Sequence, residues 1–144
     1  MATPGLPTSL TLEIVTPDRA LVAEQVDEVE IPGSAGYFGV LPGHAPLLAS
    51  MHVGELWYRK GQEKHYLAVA FGFVEVLPDK VTVLARIAER AEDIDSARAE
   101  KAMTRAQERI GPPQRSDVDF ERARIALMKS LMRIQVASRA RTRA

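Results

Sequence analysis

From residue 10 the chain alternates apolar and polar positions. Leu10, Leu12 and Ile14 fall on one face of an extended segment, and Thr11, Glu13 and Val15 on the other. A period of two marks a half-buried strand. Thr16, Pro17 and Asp18 make a turn. Short strands are expected over 20–24 and 26–31, the latter stopped by Pro32. Further extended segments are expected over 38–41, 47–52, 54–60, 64–70, 73–77 and 80–88, with turns such as Gly61-Gln62 and Pro78-Asp79 between them. Close-spaced strands with no helical run between them predict an antiparallel sandwich or barrel. Segments that are apolar on both faces fit strands covered on both sides.

The period changes at residue 94. Ala99, Ala102, Met103, Ala106 and Ile110 recur at intervals of three and four, which places them on one face of a helix. Asp93 or Asp95 is placed to cap its start, and Gly111-Pro112-Pro113 to end it. A second helix is expected from an Asp117 cap, with Phe120, Ala123, Leu127, Leu131 and Ile134 as its apolar stripe. Two helices with a short proline-bearing connection predict an antiparallel hairpin. The first helix presents mainly alanine, which permits close approach but buries little apolar area. Two readings stay open: an arm that detaches at modest cost, or a permanently packed cap.

Between the strands, residues 32–48 (PGSAGYFGVLPGHAPLL) combine Gly36, Gly39 and Gly43 with Pro32, Pro42 and Pro46 among Tyr37, Phe38, Val40, Leu41, Leu47 and Leu48. Proline fixes φ and removes a donor, so the segment reads as a stiff apolar loop, a short strand and a rigid turn. Such a loop suits a docking surface. Alternatively, its glycines serve turn geometry alone and its aromatics pack inward.

Composition sharpens the division. In 144 residues, 46% hydrophobic and of zero formal net charge, residues 1–90 carry 7 Lys/Arg against 11 Asp/Glu, and residues 91–144 carry 12 against 8. Eight of nine glycines and seven of eight aromatics precede residue 91. Two parts are therefore expected, 1–90 and 91–144. With no cysteine there are no disulfides or thiolate metal sites. The N-terminal residues lack the basic and apolar regions of a signal peptide, and no run approaches the roughly 20 apolar residues of a spanning helix.

Catalytic motifs are missing. There is no GxxxxGK[ST] phosphate loop, no GxSxG, and no HExxH spacing among His44, His52 and His65. His44, beside Gly43, reads as a turn or contact residue rather than a base. Arg133, Arg139, Arg141 and Arg143 make the C-terminal stretch basic, able to meet phosphates or carboxylates. Without interleaved aromatics it is a poor surface for single-stranded nucleic acid. A free-standing sandwich whose basic hairpin binds nucleic acid is the competing reading.

The strings GSAGYFGVLPGHAPLL, KVTVLARIAERAEDID and IDSARA…DVDFERARIALMKSLMRIQVA together resemble the epsilon subunit of bacterial F-type ATP synthase, over about residues 10–137. The resemblance implies a sandwich of about ten strands followed by a helical hairpin. It implies a non-catalytic rotor subunit in the central stalk, with the gamma subunit, the ring of c subunits and the alpha/beta head as partners. It implies a peripheral place on the cytoplasmic face of the bacterial membrane, no nucleic acid and no required cofactor or metal. Its hairpin is expected to extend and restrain ATP hydrolysis. Carried over by position, Gly33, Ser34, Ala35, Gly36, Tyr37 and Phe38 match the segment that meets the ring, with His44 nearby. Tyr37 and Phe38 make this loop more apolar than in relatives. Some members bind regulatory ATP through an I/L-D-x-x-R-A motif, matched here by Ile94, Asp95, Arg98 and Ala99. Glu89, Arg105, Lys129 and Arg133 complete the implied ATP site, Lys129 without an arginine's bidentate fork. Read from spacing alone, Asp95 and Arg98 equally make a helix-start pair.

Overall fold

The computed structural model describes residues 5–110 and 116–141. Seven strands, β1 (Leu10–Val15), β2 (Ala20–Val26), β3 (Glu28–Gly33), β4 (Gly36–Val40), β5 (Leu47–Lys60), β6 (Glu63–Leu77) and β7 (Lys80–Arg90), form one sheet in the order β2-β1-β7-β6-β5-β3-β4. Neighbours run antiparallel except β1 and β7, which are parallel. The sheet folds over on itself. Lys60 on β5 meets Glu24 on β2 at 3.5 Å, although three strands separate β2 from β5 in the sheet order. The Asp27 N–H donates to the Arg59 carbonyl at 2.8 Å. Arg90 on β7 donates to the Leu21 carbonyl on β2. A single apolar core then collects residues from every strand, among them Leu10, Ile14, Val22, Val29, Val40, Leu56, Leu67 and Val83.

The nine extended segments of the pattern become seven strands because β5 and β6 each unite two of them. The cause lies in which residues face the core. On β6, Leu67 and Val69 are buried there before residue 71, and Val74 and Val76 after it; on β5, Met51 is buried there, then Leu56 and Tyr58. Odd and even positions exchange roles at a bend. The ladder passes over His52 opposite Phe71, and over Phe71 opposite Arg86. Phe71 has φ 60° and Gly72 φ 120°. A Cβ on Gly72 would lie 2.0 Å from the Leu84 carbonyl oxygen, so glycine is what allows β6 and β7 to bend together. Counting the halves of β5, β6 and β7 separately gives ten strands.

A 3-10 turn (Ala91–Asp93) leads to α1 (Ser96–Ile110) and α2 (Asp117–Arg141). Asp95 caps α1, its Oδ1 accepting the Arg98 N–H at 3.1 Å. At α2 the cap is Ser116 rather than the expected Asp117. Ser116 Oγ accepts the Asp119 N–H at 3.3 Å and donates to Asp119 Oδ2 at 2.9 Å. The Gly111-Pro112-Pro113 stop lies outside the described residues.

The single apolar stripe expected on α2 is also corrected. Phe120 and Leu131 are exposed, whereas Ala123, Ser130, Val136 and Ala137 are buried. The helix packs against α1 and against β5 and β6 as well, so its buried positions divide between two faces. Its junction with the sandwich is a small second core of Ala68, Ala91, Ile94, Val136 and Ala137, flanked by Tyr66, Met132 and Ala140.

Candidate functional site

Where the hairpin lies over the sheet there is a cleft of ≈ 540 Å³. Its floor is apolar: Val53 from β5, Ala68, Val69 and Ala70 from β6, and Ile87 from β7. The small side chains on β6 leave the space. The rim is charged, with Glu89 from β7, Arg98 from α1, and Lys129 and Arg133 from α2.

Four of the eight residues expected at an ATP site are thus brought together: Glu89, Arg98, Lys129 and Arg133. Asp95 stands at the start of α1 as its cap. Ile94 is buried in the small core, and Ala99 is wholly buried. Arg105 is exposed on α1 and does not line the cleft.

The cations do not lie idle. Arg133 Nη2 donates to Glu89 Oε2 at 3.0 Å. Its Nε lies 2.9 Å from Oε1, a charge contact too poorly aligned for a hydrogen bond. Lys129 Nζ sits 5.6 Å from the centre of the Phe71 ring, within cation–π range. Three cations against one carboxylate leave the rim net positive, above an apolar floor. That arrangement suits a ligand with an apolar or flat body and a phosphate or carboxylate end.

A second tie between hairpin and sandwich had no signal in the sequence. Glu55 on β5 is buried, and Arg139 near the end of α2 donates to it through Nε and Nη2 at 3.2 and 3.3 Å. This carboxylate holds the guanidinium's pKa above its ordinary value. The two residues are 84 positions apart, and periodicity does not report contacts between elements.

At another surface, β3 and β4 form a hairpin in which Gly33 pairs with Gly36, Pro32 with Tyr37 and Ile31 with Phe38. Gly33, Ser34, Ala35, Gly36, Tyr37 and Phe38 line a groove closed on its other side by Leu47, Leu48, Ala49 and Ser50. Ser50 Oγ donates to Ser34 Oγ at 2.8 Å, and the Ser34 N–H to the Ser50 carbonyl at 2.9 Å. Phe38 turns partly into the core. Tyr37, Leu41, Leu47 and Leu48 remain exposed, Leu48 to 73%. His44 stands apart from the groove, its Nδ1 2.6 Å from the Ala45 carbonyl and its N–H on the Leu41 carbonyl at 3.2 Å. Among the described residues no three metal-ligating side chains cluster, and no helix is long and apolar enough to cross a membrane.

Residues 9–91 match the family model of the ATP synthase delta/epsilon chain beta-sandwich domain, and residues 92–138 that of its long alpha-helix domain. The chain is 48% identical over 130 residues to ATP synthase epsilon chain 2 of Syntrophotalea carbinolica, covering 90% of this chain and 94% of the relative. It is 49% identical over 132 residues to the ATP synthase epsilon chain of Nitratidesulfovibrio vulgaris, covering 92% and 98%. In fold it resembles a chain of the Euglena gracilis mitochondrial ATP synthase (OSCP/F1/c-ring), with TM-score 0.81 and 24% identity, over 95% of this chain and 85% of that one.

Proposed function

The chain belongs to the ATP synthase epsilon chains, non-catalytic subunits of that complex, and from this premise we propose that it is a regulatory part of the central stalk. The sandwich binds the gamma subunit and rests on the c-ring through the groove at Gly33–Gly36 and its exposed neighbours Tyr37, Leu47 and Leu48. Contiguous exposed apolar groups call for such a partner. The hairpin leaves the sandwich to restrain ATP hydrolysis by the alpha/beta head. The complex works at the cytoplasmic face of a bacterial membrane, which the chain reaches through its partners.

The observation that carries this reading is the slightness of the hairpin's seat. It rests on a small core made mostly of alanine and on ion pairs at Glu89–Arg133 and Glu55–Arg139. The cost of taking these charges out of water offsets most of their attraction, and alanine buries little area. Removing residues 91–144 is expected to leave assembly of the complex intact and to raise its ATPase rate several-fold. An unchanged rate in a fully assembled complex would overturn the gating role.

The docked hairpin also holds regulatory ATP. Arg98, Lys129 and Arg133 are placed for the phosphates over the apolar floor. Because Glu89 occupies the Arg133 fork, phosphate binding displaces that carboxylate. Titration calorimetry of the full chain with ATP is expected to give heat that Arg98→Ala removes. Equal heats for both proteins would exclude ATP from the cleft.

A further inference from the structure

Glu55 stands between the exposed β3–β4 loop and the far end of α2. Only 8% of it is exposed, and a carboxylate so placed needs a partner. Arg139 supplies two hydrogen bonds, and its guanidinium carbon also lies 5.1 Å from the centre of the Tyr66 ring. The backbone amide of the same residue faces another element. The ladder between β3 and β5 breaks between Glu30 and Gly33, whose partners on β5 are Trp57 and Met51. In that gap the Tyr37 hydroxyl takes the place of a backbone carbonyl and accepts the Glu55 N–H at 3.0 Å. Gly54 makes room for it, since a Cβ there would lie 2.6 Å from the Tyr37 hydroxyl oxygen and 2.3 Å from Pro32 Cβ. Tyr37 is nevertheless 54% exposed, on the lip of the groove.

We propose that Glu55 couples the two surfaces, so that the state of the Tyr37 loop sets how firmly the end of α2 is docked. One residue offers its amide to the loop and its carboxylate to the helix. A shift of β5 at this position moves both contacts together. The element with two states is the end of α2, paired with Glu55 or released from it. Coupling of this kind is reciprocal: release of Arg139 loosens the loop as surely as disturbance of Tyr37 loosens the helix. This goes beyond the reading above and does not depend on nucleotide binding in the cleft.

Hydrogen exchange of the full chain, read by mass spectrometry, tests it. Tyr37→Phe keeps the ring and removes the acceptor. It is expected to raise exchange several-fold in residues 133–141 while β1, β2 and α1 stay as they were. Glu55→Gln is expected to do the same, and Tyr37→Phe is expected to add nothing in the Glu55→Gln background. Arg139→Gln, at a side chain that is 43% exposed, is expected to raise exchange in residues 34–38. A purely local role for Tyr37 would change exchange only in β3, β4 and β5. The proposal is overturned if Tyr37→Phe leaves residues 133–141 unchanged, if the double variant sums two independent effects, or if Arg139→Gln leaves the loop unchanged.

Discussion

Two residues show how local chemistry sets what the sandwich tolerates. Gly72 combines a φ of 120° with a carbonyl oxygen 2.0 Å from where a Cβ would stand. Gly72→Ala is therefore expected to cost at least ~2–4 kcal/mol, from backbone strain plus a steric clash that only movement of β7 relieves. Gly39, with nothing within 4 Å of its Cβ position, should accept alanine within about 0.5 kcal/mol; urea unfolding of both variants checks the contrast. Tyr58 is buried, and burial, followed by the nearby Glu24 carboxylate, raises its pKa above the ordinary 10.0. A folded-state pKa above the unfolded one means that folding favours the protonated phenol. That contribution is whole below pH 10 and is lost as pH rises through the folded value. Tyr58→Phe, which has no proton to lose, is expected to unfold less steeply between pH 10 and pH 12 than the parent chain. Equal pH slopes would show that Tyr58 plays no part in alkaline unfolding.

At the scale of elements, what the sequence made legible was periodicity, and what it concealed was where periodicity broke. The alternation in β1, the two-residue Gly61-Gln62 turn and the change of period at residue 94 all follow from local chemistry and stand in the structure. The unity of β5 and of β6 was concealed, because the bend at Phe71 exchanges inward and outward positions and so imitates a strand end. The stripe on α2 misled for a related reason: a helix with two partners has no single apolar face. At the site, basic residues spaced along α1 and α2 were readable. That Glu89 already fills the Arg133 fork, and that Glu55 receives Arg139, depends on elements meeting across the fold. The Ser116 cap gives a direct check. Ser116→Ala is expected to weaken the start of α2 by about 1 kcal/mol, seen as faster exchange in residues 117–120 with the sandwich unchanged.

For the whole molecule, the contrast is between a sandwich with one continuous core and a hairpin seated on a few small side chains and ion pairs. The first is suited to carry load and the second to move, and the proposed gating depends on that difference. The chain has no cysteine, so spin labels attached before assembly to Gln62→Cys in the β5–β6 turn and Gln135→Cys on exposed α2 report one distance. Measured by pulsed electron paramagnetic resonance in the assembled complex, that distance is predicted to show a short population and a distinctly longer one, with added ATP returning the hairpin to the short one. A single short distance in every condition, while the complex still restrains ATP hydrolysis, would contradict a hairpin that gates by moving.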